Sequence, residues 1–218
     1  TGPNGEVYAV WAIYDSWPAE ETAMGFTRST DGGATFAPAW RPITNIKGHR
    51  QTALPGTSIR RNSFPGITVD VSGGPNNGAI YMVWTNQGTP GVNVGDTNIY
   101  IAKSTDGGTS FGTAVKVNQD AGTNSQWFPW VAVDPATGQV AVAFYDRRDD
   151  VGNTQCRVYM AVSNDGAATF EDFAVSDVAV TPVPISGLAG GYWGDYIGVS
   201  FVSGRAMPHD ARRGRTMY

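Results

Sequence analysis

The sequence predicts an all-β fold made of repeated antiparallel sheets, each with four short strands. One turn motif occurs three times in the same register, at residues 29–36, 104–111 and 163–170. Runs of β-branched and aromatic residues alternate with clusters of Gly, Pro, Asn and Asp, and no stretch of helical length has a 3.6-residue apolar period. Repetition on this scale indicates that one supersecondary unit recurs along the chain.

The apolar runs predict the strands in chain order. Residues 6–11 predict a strand that takes the second position in a sheet, with no first strand before it. The four strands of the next sheet are predicted at residues 66–69, 80–84, 99–104 and 114–117. Residues 140–144 are nearly all apolar, which is typical of a strand buried on both faces. A third strand of the last sheet is expected to begin within residues 215–218.

A second repeated segment sets the length of the unit. Phe64-Pro65 begins one copy, Phe128-Pro129 begins the next, and a weaker copy begins at Trp193. The copies are about 65 residues apart, which is long enough for four short antiparallel strands. The repeat is therefore a whole sheet and not a turn motif scattered among unrelated strands.

Each turn motif has a clear physical basis. The first copy reads Ser-Thr-Asp-Gly-Gly-Ala-Thr-Phe from Ser29 to Phe36. An Asp in a tight turn accepts hydrogen bonds from the backbone N–H groups that follow it, and the next Gly tolerates positive φ. The third copy carries Ala167 where the first two carry Gly. We therefore expect the third turn to be slightly strained or differently bonded.

This turn motif resembles the Asp-box, or BNR repeat, of the sialidase superfamily, whose form is Ser-x-Asp-x-Gly-x-Thr-Trp/Phe. The resemblance implies an all-β β-propeller of four-stranded antiparallel blades, with the boxes on outer hairpins remote from any active site. It also implies that Asp31, Asp106 and Asp165 occupy equivalent peripheral turns of consecutive blades.

The repeats predict a single propeller domain over residues 1–218. Its parts are a partial blade at 1–50, blades at 62–120 and 126–180, and a partial blade at 190–218. This amounts to about three and a half blades, whereas propellers close with roughly four to eight. The sequence is thus expected to be part of a longer protein, or to form a ring with a second copy.

Charge and composition argue against several classes of function. The net charge is −4 and there is no basic stripe, which disfavours nucleic acid as a partner. No run of 18 apolar residues occurs, so neither a membrane span nor a retained signal peptide is predicted. The lone Cys156 is expected to be a packed thiol, and His49 and His209 are too few for a zinc site.

No cofactor is predicted. Asp146, Asp149 and Asp150 lie in one short segment, which leaves calcium binding open as an alternative to a solvated turn.

The resemblance also implies a set of catalytic groups. An exo-sialidase needs arginines that clamp a carboxylate, an Asp acid/base, and a Tyr nucleophile assisted by a Glu. The candidates for these roles are Tyr196, Asp195, Arg60, Arg61, Arg148 and Arg212.

Alternatives remain open at several of these positions. Arg148 and Arg212 belong to a repeated Asp-x-Arg pattern, which serves either as a functional rim or, as the repetition favours, as a structural ion pair. Arg60 and Arg61 lie either in a solvated loop or at the entrance to an innermost strand. Asp195 and Tyr196 are neighbours, and strand neighbours point to opposite faces. None of the four Glu residues is placed to assist Tyr196: they are Glu6, Glu20, Glu21 and Glu171.

Two functions are consistent with this sequence. The first is a secreted, extracellular sialidase-like glycoside hydrolase acting on terminal sugars of glycans, with part of its active site outside this chain. The alternative is a non-catalytic propeller that binds glycan or protein. Its stacking surfaces would come from Trp127, Trp130, Tyr192 and Trp193, although packing between blades is the commoner use of such residues.

Overall fold

The computed structural model describes residues 1–50, 54–194, 196–210 and 215–216. These residues form fourteen β-strands in four antiparallel sheets, and no helix occurs among them. In particular, the described part of the chain has no helix that could cross a membrane. The predicted all-β fold is confirmed.

Within each sheet, strands that are consecutive in the chain pair with one another. The first sheet contains β1 (Val7–Ile13), β2 (Ala23–Ser29) and β3 (Trp40–Thr44). The second contains β4 (Gly66–Val69), β5 (Ile80–Gln87), β6 (Thr97–Ser104) and β7 (Val115–Lys116). The third contains β8 (Gln126–Val133), β9 (Val140–Asp146), β10 (Arg157–Ser163) and β11 (Glu171–Ala174). The fourth contains β12 (Ile197–Val202), β13 (Arg205–Asp210) and β14 (Arg215–Thr216).

The turn motifs, here called the Asp turns (residues 29–36, 104–111 and 163–170), join equivalent strands. They connect β2 to β3, β6 to β7 and β10 to β11. By this criterion β1 corresponds to β5 and β9, the second strands of the four-stranded sheets. That correspondence agrees with the prediction that the first run of apolar residues is a second strand.

Hydrogen bonding in the Asp turns follows one pattern. In the second turn, Asp106 Oδ1 accepts the Ser110 N–H at 2.9 Å and Asp106 Oδ2 accepts the Ser110 hydroxyl at 2.6 Å. In the third turn, Asp165 accepts the Thr169 N–H at 3.0 Å and also the Thr169 hydroxyl. Ala167 has a φ of 69°, so strain was predicted correctly. Asp165 nevertheless accepts the same two hydrogen bonds, from the backbone and the hydroxyl of the residue four positions on, as Asp31 and Asp106 do.

The core consists mainly of β2, β5, β6, β9 and β10 packed against neighbouring sheets. All seven residues of β9 are buried, as expected for a strand covered on both faces. The first sheet docks on the second through Phe26, whose ring lies against Gly108 in the second Asp turn. A Cβ at position 108 would lie 2.4 Å from that ring, so only Gly allows this approach.

Cys156 is buried just before β10 and exchanges two backbone hydrogen bonds with Val180, at 2.8 and 2.9 Å. Its predicted role as a packed thiol is confirmed.

The connection between β3 and β4 reaches well beyond the two sheets it joins. Residues 54–63 of this connection, here called the crossing segment, place Leu54 and Ile59 in the apolar cluster that contains Trp127 and Trp193. The Arg60 N–H donates to the Gly191 carbonyl at 2.8 Å. Residues that lie between the first and second sheets in the chain thus pack against the third and fourth sheets in space.

Candidate functional site

An aromatic cleft lies where the first strands of three sheets begin, next to β1. Its volume is about 270 Å³. The described residues that line this aromatic cleft are Val10, Trp11, Ala12, Phe64, Pro65, Phe128, Pro129, Trp130, Tyr196 and Ile197. The volume lies just below the roughly 300–1,000 Å³ of sites that enclose a drug-sized ligand, so the cleft has room for one small group.

Three rings, one from each of the second, third and fourth sheets, form the centre of the cleft. Phe64 precedes β4, Phe128 lies in β8, and Tyr196 precedes β12. The Phe64 and Tyr196 ring centroids are 6.0 Å apart with 23° between the ring planes. The Phe64 and Phe128 centroids are 6.2 Å apart with 31° between planes. Contacts at this spacing fix the rings against one another.

A β-bulge sets the direction of the Phe128 ring. The pairing of β8 with β9 shifts register between Trp127 and Trp130, and Phe128 within the shift has a φ of 53°. A bulky residue in the left-handed region is strained by roughly 1–3 kcal/mol. Bulges of this kind re-aim side chains beside functional sites. Here the bulge turns Phe128 towards Phe64.

Three rings of the cleft present surface to solvent. Tyr196 is 60% exposed, Trp130 is 42% exposed and Trp11 is 38% exposed. The Trp11 ring lies across Gly25, its cross-strand partner on β2. A Cβ at position 25 would be only 2.3 Å from the indole, so the absence of a side chain at Gly25 leaves room for the ring. These rings offer flat apolar faces to a ligand.

The other aromatic residues predicted as stacking surfaces have different environments. Trp127 and Trp193 are buried, with ring centroids 6.4 Å apart, so they pack between sheets. Tyr192 lies under the Arg60 guanidinium, whose central carbon is 4.9 Å from the ring centroid. Of the predicted set, Trp130 alone is among the residues that line the cleft.

A buried histidine supports the rings from behind. The His49 and Phe128 ring centroids are 6.1 Å apart at 66°. The Ser63 hydroxyl donates to the Thr85 carbonyl at 2.7 Å, so it accepts from His49 Nδ1–H at 3.2 Å, which defines the tautomer. Burial, together with the positive charge of Arg61, holds the pKa of His49 well below its ordinary value. His49 is therefore neutral.

A tyrosine–carboxylate pair lies beside this histidine. The Tyr14 hydroxyl donates to Glu21 Oε1 at 2.7 Å, and the Ser63 N–H donates to the same oxygen at 2.8 Å. Burial and the hydrogen bond to Glu21 raise the pKa of Tyr14. Glu21 Oε2 abuts Gly48, where a Cβ would lie 1.6 Å away. Glu21 thus ties the β1–β2 loop to the chain that precedes β4.

The crossing segment places the two neighbouring arginines differently. Arg60 is exposed and lies over Tyr192. Arg61 is buried, and burial lowers its pKa to about 10, with Glu20 opposing the shift and Arg147 adding to it. Arg61 still carries its charge at neutral pH. Neither arginine is among the residues that line the aromatic cleft.

Arg148 lies in a network of carboxylates. Its Nη1 donates to Asp172 Oδ1 at 2.9 Å, and its Nε donates to Asp146 Oδ2 at 2.8 Å. Burial alone would lower the pKa of Arg148, but the hydrogen bonds to Asp172 and Asp146 outweigh it and raise the pKa. This geometry fits the structural ion pair, one of the two alternatives that the sequence left open.

Arg147 is fully buried and joins two loops. Its Nη1 donates to the Pro55 carbonyl at 2.9 Å and to the Asn153 carbonyl, while the guanidinium lies 5.1 Å from the Trp127 centroid. Arg147 thereby fastens the crossing segment to the β9–β10 loop.

Asp195 and Arg212, the remaining predicted site residues, lie outside the described residues. The structure brings together Tyr196, Phe64, Phe128, Trp130 and Trp11. Sequence reasoning did not assign Phe64, Phe128 or Trp11 to a site. The repeated Phe-Pro pair was the available signal for Phe64 and Phe128, since it recurs at the first strands of the second and third sheets.

Among the described residues, no group of three or more His, Cys, Asp or Glu side chains is arranged to hold a metal ion. In the segment considered for calcium, Asp146 pairs with Arg148, Asp149 accepts the Tyr159 hydroxyl at 2.8 Å, and Asp150 accepts the Thr154 N–H at 2.7 Å.

Solved sialidases share this fold. Hadza microbial sialidase Hz136 aligns with 97% of this chain and 41% of its own, with a TM-score of 0.62 and 15% identity. The NanB sialidase of Streptococcus pneumoniae aligns with 95% of this chain and 54% of its own, with a TM-score of 0.55 and 8% identity. Trypanosoma rangeli sialidase aligns with 95% of this chain and 32% of its own, with a TM-score of 0.55 and 14% identity.

By sequence alone, no protein-family model and no curated protein matches the chain. The chain spans between about a third and about half of the length of the sialidases it aligns with. Over nearly its whole length, it has the β-propeller fold of the sialidases.

Proposed function

We propose that this protein recognises glycans and that a terminal sugar residue binds on the rings of the aromatic cleft. The observation that carries the proposal is the stacked pair of Phe64 and Tyr196, with Tyr196 60% exposed. One face of a sugar ring presents C–H groups, which pack on an aromatic ring while the hydroxyl groups remain hydrated at the rim. A concave site with flat apolar walls suits such a ligand.

A binding experiment on the full-length protein tests this proposal. Glycans with defined terminal sugars are titrated into the parent, Tyr196→Ala and Trp130→Ala. Phe173→Ala is the matched control, because Phe173 is a 45% exposed aromatic residue on β11, outside the cleft. We expect each cleft variant to lose about tenfold or more in affinity, while Phe173→Ala binds as the parent does. Equal losses in all three variants, or no glycan bound by the parent, contradict the proposal.

A second candidate function is hydrolysis by an exo-acting, sialidase-like glycoside hydrolase. It is favoured by the exposed phenol of Tyr196 at the cleft, in a fold shared with sialidases. In this candidate Tyr196 is the nucleophile, Asp195 the acid/base, and Arg60, Arg61, Arg148 and Arg212 the cationic groups assigned from the sequence. Tyr196→Phe separates the two functions, because it removes the nucleophilic oxygen and keeps the ring. Loss of glycoside cleavage with retained binding supports hydrolysis.

The proposal also covers the rest of the propeller and the location of the protein. Further blades, from a longer chain or a second copy, would complete the ring around blades at 1–50, 62–120, 126–180 and 190–218. The strands of the four sheets fall inside those ranges. In this proposal the Asp turns are the Asp-boxes of an extracellular, secreted protein. Native and denatured masses test the ring, and detection of the protein in culture medium tests secretion.

A further inference from the structure

The wall of the aromatic cleft, as the described residues form it, is uncharged. None of the described residues that line it carries a charged side chain. The polar side-chain groups among them are the Tyr196 hydroxyl and the indole N–H groups of Trp11 and Trp130. The cleft thus offers uncharged hydrogen-bond donors and apolar ring faces.

Arginines on the segments around the cleft do not line it. Arg61, three residues before Phe64, is buried and is not among the described residues of the cleft wall. Arg147 donates to the carbonyls of Pro55 and Asn153. Arg148 is held between Asp146 and Asp172. Arg60 covers the ring of Tyr192. In the described residues, none of these guanidinium groups is part of the cleft wall.

A carboxylate placed in this cleft would lose hydration without gaining a cationic partner from the described residues of its wall. An unpaired charge moved out of water is strongly disfavoured, whereas the apolar face of an uncharged ring gains from the same transfer. The rings themselves also oppose an anion, because the π face of an aromatic ring carries partial negative charge. An uncharged wall of this kind therefore favours a neutral ligand over an anionic one.

We infer that the aromatic cleft selects a neutral sugar residue and rejects its carboxylated counterpart. This inference rests on the proposed glycan-binding function and narrows its ligand class. It predicts that affinity depends little on ionic strength, because no charge pair forms on binding.

The test uses the full-length protein and two glycan pairs that differ in charge. One pair is N-acetyllactosamine and its α2,3-sialylated form, and the other is glucose-terminated and glucuronate-terminated oligosaccharides of equal length. Calorimetry at low and high sodium chloride measures both members of each pair. We expect the neutral member to bind about tenfold or more tightly than the acidic one, with little change on adding salt.

A variant that adds a cation provides an independent check. Ala12 lines the cleft from β1, so Ala12→Arg introduces a positive charge and Ala12→Gln is its uncharged control of similar length. We expect Ala12→Arg, and not Ala12→Gln, to gain affinity for the acidic member, and we expect that gain to weaken with salt.

The outcomes separate the two levels of the proposal. If the parent binds the acidic glycans as tightly as the neutral ones, or more tightly, charge selection is wrong while glycan recognition stands. If the parent binds neither member of either pair, glycan recognition fails and the inference fails with it.

Discussion

The ring of Tyr196 stacks on the ring of Phe64, with centroids 6.0 Å apart and 23° between the planes. The two residues are more than a hundred positions apart in the chain and precede the first strands of different sheets. Phe64 also contacts Phe128 of the third sheet at 6.2 Å. Phe64 is therefore the ring that contacts both of the others.

Replacement of Phe64 should affect stability and binding together. We expect Phe64→Ala to lower the free energy of unfolding by about 2–3 kcal/mol, because a partly buried ring is lost and its space is left empty. Glycan affinity should fall as well, since Tyr196 loses its support. Denaturant unfolding and calorimetry measure the two effects. Phe64→Tyr keeps the ring and is the control, and a Phe64→Ala variant that binds as the parent does would count against this arrangement.

Removal of Arg148 distinguishes a structural ion pair from a ligand-binding group. We expect Arg148→Met to lower the free energy of unfolding by about 3–5 kcal/mol, because the buried carboxylates of Asp146 and Asp172 lose their cation. Glycan affinity of the folded protein should be unchanged. Urea titration and calorimetry below the unfolding transition measure these quantities, and a variant of normal stability with lost binding supports a rim role instead.

A pair of glycine substitutions tests how the first two sheets dock. Gly33 and Gly108 occupy the same position in two Asp turns, with φ values of 93° and 83°. A Cβ at Gly33 would be 3.8 Å from its nearest neighbour, whereas one at Gly108 would lie 2.4 Å from the Phe26 ring.

We therefore expect Gly33→Ala to lower the free energy of unfolding by about 1–2 kcal/mol, which is the cost of placing a Cβ-bearing residue at positive φ. We expect Gly108→Ala to cost roughly 1–3 kcal/mol more, because Phe26 must move. Thermal and urea unfolding compare the two variants. Equal losses would mean that Phe26 does not hold the second turn in place.

The buried His49 should make stability depend on pH in a defined range. Its folded-state pKa lies well below the unfolded value of 6.5, so in that interval the unfolded chain binds a proton that the folded protein does not. The contribution of neutral His49 to the free energy of unfolding is therefore fully present above pH 6.5. Below pH 6.5 it decreases by about 1.4 kcal/mol per pH unit. Urea titrations between pH 7.5 and about 5 measure the slope. In His49→Gln this contribution should be absent, and an identical pH slope in parent and variant would falsify the assignment.

Much of the fold could be predicted from the sequence because the signals are local. An Asp followed by Gly specifies the Asp turn within eight residues, and each apolar run forms a strand next to its neighbour in the chain. The predicted strand at residues 66–69 coincides with β4, and the observed β5 extends the predicted run to Gln87. Strand ends were less certain because cross-strand pairing and not local composition decides where a strand stops.

The candidate site was harder to predict because its parts come from distant segments. Arg148 matched a sequence pattern, yet its partner Asp172 lies on another strand, so the pattern alone could not separate an ion pair from a functional rim. Trp127 and Trp130 are three residues apart, but the bulge at Phe128 leaves one buried and the other exposed. Burial at these positions depends on the neighbouring sheets.

The repeat, the Asp turns and the order of the strands could be read from local sequence, because short-range hydrogen bonding and side-chain alternation specify them. Which aromatic rings meet depends on tertiary packing. The crossing segment carries Arg60 and Arg61 onto the third and fourth sheets, and Phe64, Phe128 and Tyr196 converge from three sheets. These contacts depend on how whole sheets pack, and no local stretch of sequence contains that information.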